Sequence, residues 1–378
     1  FYDPPSPLPA GRPGEVIRTE PLEDAPDGVD AWRILYHSTT RTGQDVAVSG
    51  MVVVPEGTPP AGGFPVLTLA HGTVGMARPC APSLRPFMSR STLPSFLTPG
   101  RSSPSFFQQM LQPFTGAGYA VVATDYVGLG TPGINPYLVG EDAARNVLDA
   151  ARALRSLPSL NLSGDTFIWG HSEGGQSALF AGQIAPGYAP EMRIPGVVAG
   201  SPAAQLESLA AELEGIRGRS PLTGLAVMIV RGWSAAYPDA DPATVLTRRG
   251  LRAMPLVERE CIGGVLLDFA FQPITNFLNP EALRTQPWAG LIVANTAGAV
   301  RTAPPIRIFQ GGSDRLIEPA FTERLAGQLC GVGDTVALQI YPGDGHLSVI
   351  TPSMPETLAW MADRLAGSAA PSTCSGGG

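Results

Sequence analysis

Residues 170–174 read Gly-His-Ser-Glu-Gly, a G-x-S-x-G pattern that places a hydroxyl between two glycines. In this pattern the serine occupies a sharp, strained turn from a strand into a helix, and the glycines give the turn room. An apolar stretch, Thr166 to Trp169, precedes the pattern, and a stretch rich in Ala and Gly follows it. The pattern predicts that Ser172 is a nucleophile. A glycine-rich turn with an incidental serine is the alternative.

A histidine is needed to activate such a serine, because a hydroxyl is a weak nucleophile at neutral pH. Among the four histidines, His171 precedes Ser172 on the same turn and is expected to point elsewhere, and His37 lies in an edge-strand pattern. His71 belongs to a second motif. His346 lies in a Gly-rich loop after the last predicted strand, and it is the predicted base. A loop histidine in solvent is the alternative.

The acid that orients this histidine should lie between the nucleophile and the base in the chain, on a loop after a strand. Asp314 fits, because a Gly-Gly-Ser turn leads into it from an apolar strand pattern. Its carboxylate would hold the tautomer of His346 and stabilise the imidazolium. Asp344 is only two residues from that histidine and is poorly placed to reach around its ring. Glu318 and Asp334 are weaker candidates.

Attack on a carbonyl creates a tetrahedral oxyanion, which needs N–H donors. The backbone N–H of Glu173, directly after the nucleophile, supplies one donor. The other is expected from His71-Gly72-Thr73, which follows an early apolar strand pattern, with Thr73 or Val74 as the donor. The hydroxyl of Thr73 is a further candidate. An ordinary strand-ending turn is the alternative, and His71 itself is predicted to be a packed structural residue and not a proton carrier.

The elements that must position these residues alternate between strands and helices, which predicts an α/β fold with a mainly parallel sheet covered on both faces. The first three strands are expected at the sheet edge. Strands are predicted at residues 31–38, 45–54, 64–70, 119–124, 166–169, 196–199, 306–310 and 335–341. Helices are predicted at residues 141–157, from about 173 onward, at 319–329 and at 354–365.

The domain boundaries follow from where this alternation stops. Residues 1–30 are rich in Pro, Gly and Asp and are predicted to form an extended arm on the surface. Residues 31–202 and 301–378 form the core, and residues 203–300 are a mostly helical insertion that we interpret as a cap. Burial in the cap's own core is the alternative to a pocket role for its apolar side chains. The predicted substrate-pocket residues are His71, Gly72, Tyr126, Met228, Trp233 and Phe269, with Leu225, Val227, Ile229 and Phe271 as further pocket candidates in the cap.

The composition excludes several function classes. The net charge is −7 and all 25 basic residues are arginine, which argues against nucleic-acid binding and removes every mechanism that needs a lysine. The longest apolar run, about Leu225 to Val230, is far short of the ~20 residues of a membrane span. Gly128-Leu129-Gly130 lacks the remaining glycine of a dinucleotide loop. No cofactor and no metal are predicted.

The four cysteines lie far apart, without a C-x-x-C pair or a nearby histidine, so two disulfides are preferred over a metal site. Three pairings are possible. We favour Cys80 with Cys261 and Cys330 with Cys374, since the second would hold a Gly/Ser-rich tail. Four free thiols in a cytosolic protein are the alternative. The start at Phe1, without a methionine, is what a mature secreted chain would show.

Taken together, the motifs resemble the secretory lipase family of fungi and actinobacteria, the lipase A type, within the α/β-hydrolase superfamily. The resemblance implies hydrolysis of triacylglycerol or shorter-chain esters, a helical cap over the acyl site, secretion, the favoured disulfide pairing and a triad of Ser172, Asp314 and His346. This chain departs from the family at the oxyanion residues. The fungal enzymes carry a small residue after the nucleophile and an acidic residue in the first oxyanion loop, whereas this chain has Glu173 and His71-Gly72-Thr73 at these places. The motifs are His71-Gly72-Thr73, Cys80-Ala81-Pro82-Ser83, residues 170–174, Gly312-Ser313-Asp314 and Gly345-His346.

The sequence therefore predicts a secreted carboxylic ester hydrolase, acting as a monomer on a small-molecule or lipid ester, in solution or at a lipid–water interface. An acyltransferase or peptidase with the same triad is an alternative, since a fold does not fix a substrate. A hydrolase-fold binding protein without catalysis is another alternative, and its expected sign is a missing triad member.

Overall fold

The computed structural model describes residues 1–88, 105–216, 218–220, 222–270 and 272–374. Over these residues the strands form one nine-stranded sheet. The strands are β1 (Val16–Pro21), β2 (Val29–Thr39), β3 (Asp45–Pro55), β4 (Phe64–Ala70), β5 (Ala120–Thr124), β6 (Leu162–His171), β7 (Val197–Gly200), β8 (Ile306–Gly311) and β9 (Val336–Tyr341). The α-helices are α1 (Gln112–Gly116), α2 (Gly140–Ser156), α3 (Glu173–Tyr188), α4 (Leu206–Gly215), α5 (Leu222–Ala236), α6 (Arg248–Val257), α7 (Ile262–Ala270), α8 (Trp288–Ala294), α9 (Pro319–Gly331) and α10 (Ile350–Leu365).

The sheet has the strand order β1-β2-β3-β5-β4-β6-β7-β8-β9. The pairs from β1 to β5 are antiparallel, and every pair from β5 to β9 is parallel. The prediction of a mainly parallel sheet flanked by helices is therefore confirmed. Because the carboxyl ends of parallel strands lie at one edge of a sheet, the loops after β4, β6, β8 and β9 meet there.

Both faces of the sheet are covered, which explains why its central strands are apolar at nearly every position. Val66 and Val122 pack on the face covered by α2. Leu67 and Phe167 point the other way and pack against α10. Trp169 stacks on Phe309, with ring centroids 6.2 Å apart. This aromatic packing lies directly beneath the strand ends that carry the loops of the site.

Two details differ from the sequence prediction. Residues Val16–Pro21, within the predicted arm, form a strand that pairs antiparallel with β2, although Pro and Gly surround that short segment. The predicted edge strand Phe64–Ala70 lies in the interior, because β5 inserts between it and β3. Strands that are consecutive in sequence are often, but not always, neighbours in a sheet. The order of the strands in the sequence therefore did not reveal that β5 lies between β3 and β4.

The chain between β7 and β8 is helical, and its apolar side chains form a cluster that also includes Tyr137, Leu138 and Val139 before α2. Trp233 of α5 stacks on Trp288 of α8, with centroids 6.3 Å apart and planes 9° from parallel. A small apolar cavity of about 50 Å³ lies between these helices, beside Leu206, Ile229 and Ile292. Among the described helices, none is both long and apolar enough to cross a membrane.

Both favoured disulfides are formed. Cys80 bonds to Cys261 and ties the segment after β4 to the start of α7, and Cys330 bonds to Cys374 and ties α9 to the tail; in each pair the Cα atoms are 5.5 Å apart. The pairing preferred from the sequence is confirmed. The first bond links core and helical insertion across 181 residues of sequence.

Candidate active site

Ser172 occupies the sharp turn between β6 and α3. Its backbone has φ 59° and ψ −119°, a conformation that non-glycine residues adopt only under strain. A Cβ on Gly170 would lie 1.9 Å from the carbonyl oxygen of Gly174, and a Cβ on Gly174 would lie 1.9 Å from that of Ala70. Both positions therefore need glycine. The sequence pattern predicted this turn, and the structure forms it.

A continuous hydrogen-bonded chain runs from Ser172 through His346 to Asp314. The Ser172 Oγ is 2.9 Å from His346 Nε2, and His346 Nδ1 is 2.7 Å from Asp314 Oδ2. A carboxylate beside Nδ1 holds the proton on that nitrogen, so Nε2 presents its lone pair to the serine hydroxyl. This arrangement can take the serine proton during a nucleophilic attack.

Asp314 is held as an anion. Burial alone would raise the pKa of its carboxyl, but hydrogen bonds to His346 and from the backbone of Ile317 and Leu316 outweigh burial, and the pKa lies below its usual value. The two backbone N–H groups donate to Asp314 Oδ1 over 2.9 and 3.0 Å. Gln310 donates to Oδ2 from inside β8, over 3.2 Å. An ionised acid at this place stabilises an imidazolium.

The competing acids are engaged elsewhere. Asp344 accepts a hydrogen bond from the Ser348 hydroxyl over 2.9 Å, although it stands on the same loop as the histidine. Asp334 accepts from the backbone N–H of Thr302 over 3.0 Å. Asp344 therefore stabilises its own loop, and Asp334 ties the segment before β9 to the segment before β8. The geometry brings together the residues that the sequence favoured.

His171 has a partner that the sequence did not reveal. Its Nε2 donates to the backbone carbonyl of His346 over 2.7 Å, and the two rings are 4.8 Å apart. The other side of the ring stacks on Phe309, with centroids 6.4 Å apart. Burial and the nearby His346 lower the pKa of His171 to about 3, so its ring is neutral. The residue before the nucleophile thus holds the loop that carries the histidine.

The loop after β4 lies against the nucleophile turn. A Cβ on Gly72 would be 3.6 Å from the Cβ of Ser172 and 3.1 Å from the carbonyl oxygen of His171. Glu173 is the first residue of α3, where backbone N–H groups have no partner within the helix. The carbonyl of Val74, by contrast, accepts from Ile262 over 2.8 Å. The loop after β4 and the first turn of α3 therefore adjoin Ser172, and the predicted oxyanion donors lie on these two elements.

Glu173 also has a buried side chain, only 4% exposed. Burial raises the pKa of its carboxyl to about 8, and a hydrogen bond with Thr73 offsets only part of this effect. The Thr73 Oγ1 is also 2.8 Å from the hydroxyl of Tyr137. A neutral carboxyl group therefore stands beside the nucleophile at neutral pH.

Residues 106–373 match the sequence profile of a family described as secretory lipases. The chain belongs to the secretory lipase family. This confirms the resemblance that the motifs indicated, and membership of the family supports an ester hydrolase. Within the family, sequence identity to individual relatives is low, so comparisons with them support the family and the fold more than any single property.

Three proteins illustrate the similarity. A Mycobacterium tuberculosis protein named "Probable inactive lipase MT1628" is 28% identical over 97% of this secretory lipase chain and 82% of its own length. The secreted triacylglycerol lipase LIP3 of Malassezia restricta is 25% identical over 97% of this chain and 79% of its own length. The X-ray structure of Candida antarctica lipase A matches with a TM-score of 0.80 at 20% identity, over 99% of this chain and 86% of that one. The structural match shows the α/β-hydrolase fold.

In this secretory lipase family member, the predicted pocket residues have different surroundings. Trp233 lines the apolar cavity of the helical insertion. Met228 and Phe269 are fully buried in the core of that insertion and lie away from the cavity lining. Phe271 lies outside the described residues.

Of the three pocket candidates outside the helical insertion, Gly72 lies against the nucleophile turn, and Tyr126 and His71 pack against each other. Tyr126 has φ 65° and its hydroxyl donates to the backbone carbonyl of His71 over 3.0 Å. The His71 ring packs 4.6 Å from that of Tyr126 and is 1% exposed. His71 is a packed residue, as predicted.

Among the described side chains of this family member, no group of three or more His, Cys, Asp or Glu residues is arranged to hold a metal ion.

Proposed function

We propose that this chain is a secreted serine hydrolase that cleaves carboxylic esters, triacylglycerols or shorter-chain esters, with Ser172 as nucleophile, His346 as base and Asp314 as orienting acid. The observation that supports the proposal most is the hydrogen-bonded chain of 2.9 and 2.7 Å across these three side chains. The strained backbone of Ser172 adds to it, because such strain clusters at sites where a side chain must be held for reaction.

The reaction would proceed in two halves. Ser172 Oγ attacks the ester carbonyl while His346 Nε2 takes its proton, and the backbone N–H groups of Glu173 and of Thr73 or Val74 stabilise the oxyanion. The imidazolium then gives its proton to the departing alkoxide, which leaves as an alcohol. The acyl group stays on Ser172 Oγ as the acyl-enzyme. Water attacks the acyl-enzyme with His346 again as base, and the acid product leaves as Ser172 regains its proton.

Residues 203–300 would act as the cap and residues 31–202 and 301–378 as the catalytic core, to whose sheet the N-terminal segment adds the strand Val16–Pro21. The small cavity beside Trp233 has the apolar lining that an acyl chain needs, and it would have to widen to admit one. The Trp233 Nε1 donates to the backbone carbonyl of Tyr137 over 3.0 Å and so joins the cap to the core near the site. In this proposal Met228 and Phe269 shape the pocket from behind, through the cap's packing.

Secretion is part of the proposal. Two disulfides are typical of chains that fold in an oxidising compartment, and the family is described as secretory. A lipid ester is the proposed substrate class. Leu347, directly after the base, is 63% exposed and would face substrate or a lipid surface.

A catalytically inactive binding protein is the second candidate, because one relative carries the word inactive in its name. Loss of catalysis would be expected to remove or displace a triad member. All three side chains are present here, and His346 is within hydrogen-bond distance of both Ser172 and Asp314. An acyltransferase or peptidase would use the same triad, and product analysis with an alcohol or an amine acceptor would distinguish these activities from hydrolysis.

Replacement of the nucleophile tests the proposal. We expect Ser172→Ala to lower hydrolysis of p-nitrophenyl butyrate by about 10³-fold or more, since loss of a nucleophile removes the covalent route. Ser368→Ala, at an exposed position of the tail, is the matched control and should keep full activity. A fluorophosphonate should label the wild-type chain and the control, and leave Ser172→Ala unlabelled. An Ala variant that retains wild-type hydrolysis would contradict the proposal.

Substrate range can be measured with the same proteins. Turnover of tributyrin is compared with that of a long-chain triacylglycerol emulsion. A rate increase when an oil–water interface forms would indicate a lipase. Good turnover of short esters without that increase would indicate an esterase.

A further inference from the structure

The carboxyl group of Glu173 has no assigned role in the reaction described above, yet it adjoins the nucleophile. It is the first side chain of α3 and is almost fully buried. Its backbone N–H is the proposed oxyanion donor, so its side chain lies close to the place where negative charge develops. A carboxylate here would repel the oxyanion, because two like charges in a buried site interact strongly.

Two phenols face Glu173, and the ring of His71 packs against one of them with its nitrogens beside the backbone carbonyls of Gly72 and Asp125. Tyr126 follows β5 and Tyr137 precedes α2, and burial raises the pKa of each well above its usual range. Both are neutral. His171 and His346 interact with each other and with Asp314, on the base side of the nucleophile. Neither phenol therefore compensates a negative charge on Glu173.

Thr73 connects this acid to the reaction site. Its loop is held against the nucleophile turn by the close approach of Gly72 to Ser172. The Thr73 hydroxyl contacts both the carboxyl of Glu173 and the hydroxyl of Tyr137, the latter at 2.8 Å. A hydroxyl has one proton and two acceptor lone pairs. Two donors on Thr73 Oγ1 would occupy both lone pairs and leave its proton for a third partner.

We propose that Glu173 is a positioning residue for the oxyanion: as a neutral acid it donates its proton to a hydrogen bond with Thr73 Oγ1, and the Thr73 hydroxyl then donates to the oxyanion. Tyr137 supplies the second donor to the same oxygen. If Glu173 ionises, it accepts the Thr73 proton instead and adds a repulsive charge. This inference rests on the proposed ester hydrolysis and identifies a donor that depends on the protonation of one residue.

The pKa of Glu173, about 8, keeps its carboxyl protonated at neutral pH and sets the pH range of the experiment. We expect kcat/KM for p-nitrophenyl butyrate to fall above pH 8 in the wild-type chain, by about tenfold or more, because losing one oxyanion donor has effects of this size or larger. Glu173→Gln keeps a neutral side chain that donates an N–H at every pH. We expect it to lose about threefold to tenfold at pH 7 and to show no further decline up to pH 9.5.

The matched control is Glu323→Gln, an exposed carboxyl on α9, which should keep the wild-type decline above pH 8. Variants at Thr73 test the hydroxyl itself. We expect Thr73→Val to lower kcat by about 10-fold to 100-fold with KM within about twofold, because the branched shape and the backbone N–H remain. Thr73→Ser restores the hydroxyl and should recover most of the loss together with the alkaline decline.

The outcomes separate this inference from the proposed function. A wild-type chain that hydrolyses no ester would overturn both. Hydrolysis that requires Ser172 and shows no decline above pH 8, or a decline that persists in Glu173→Gln, would overturn the role of Glu173 alone. Full activity in Thr73→Val would overturn the role of the hydroxyl. Loss of the decline in Glu173→Gln with rescue by Thr73→Ser would support the inference.

Discussion

The two sides of Ser172 each carry a carboxyl group, and the structure holds these groups in opposite protonation states. On one side Asp314 receives hydrogen bonds from His346 and two backbone N–H groups, and its pKa is lowered. On the other side Glu173 is buried beside a hydroxyl and two phenols, and its pKa is raised to about 8. Both are buried carboxylic acids, so the number of donors around each group decides which form persists.

In the proposed reaction the two sides of Ser172 have different tasks. An anion beside His346 stabilises the imidazolium that forms when Ser172 loses its proton. A neutral acid beside the oxyanion adds no repulsive charge and can donate a hydrogen bond. Pairs of titratable groups whose surroundings push their pKa values apart commonly divide acid and base work in this way.

The largest expected effect comes from neutralising the anionic side. Asp314→Asn keeps the shape of the side chain but favours the wrong tautomer of His346, so we expect kcat for a short ester to fall by about 10⁴-fold. Asp344→Asn, on the same loop as the histidine, is the control and should stay within about twofold of wild type. If Asp344→Asn caused the larger loss, the orienting acid would be Asp344, and Asp344 would replace Asp314 as the anionic carboxyl compared with Glu173.

A smaller effect is expected from the bond that holds the histidine loop. His171→Phe keeps a flat ring on Phe309 but removes the donor to the carbonyl of His346. We expect kcat to fall by about 10-fold to 100-fold with little change in KM, because displacing the base by a fraction of an ångström disturbs proton transfer.

The control for that variant is His37→Gln, on β2, whose ring hydrogen-bonds Asp45. It should leave kcat unchanged. Equal kcat values for His171→Phe and wild type would show that the hydrogen bond from His171 is not needed and that Asp314 alone positions His346.

The smallest expected effect is on folding, and its sign differs between the two sides. Ionised Asp314 stabilises the fold above the unfolded pKa of about 3.8 and loses that contribution as the pH falls below it. Glu173 holds its proton in the folded state up to about pH 8, while the unfolded chain releases it near 4.5, so stability falls as the pH rises between these values.

We therefore expect Asp314→Asn to lower the free energy of unfolding at pH 7 by on the order of 1–3 kcal/mol, a difference that shrinks below pH 4. Glu173→Gln should raise it at pH 8 and lose that advantage below about pH 4.5. Urea denaturation at several pH values measures both. If the free energies of unfolding of the two variants changed in the same way with pH, the two carboxyl groups would share one protonation state.

Much of the fold and site could be predicted from the sequence, because the relevant signals are local or depend on chain order. The strained turn at Ser172 is encoded by glycines two residues to either side, and the loops that carry Asp314 and His346 follow apolar strand patterns. The interior position of β4 could not be predicted, because it depends on β5 pairing between it and β3. The strand Val16–Pro21 was missed because Pro and Gly surround a short, half-exposed segment.

The sequence by itself determined which residues can act as nucleophile, base and acid, since only a few side chains of the required chemistry stand at the required places in the chain. The tertiary structure alone decided how those residues are supported. His171 meets the carbonyl of a residue 175 positions away, and Thr73 meets a phenol 64 positions away. The protonation of Glu173 depends on the burial that such contacts create, and burial arises only when distant segments pack together.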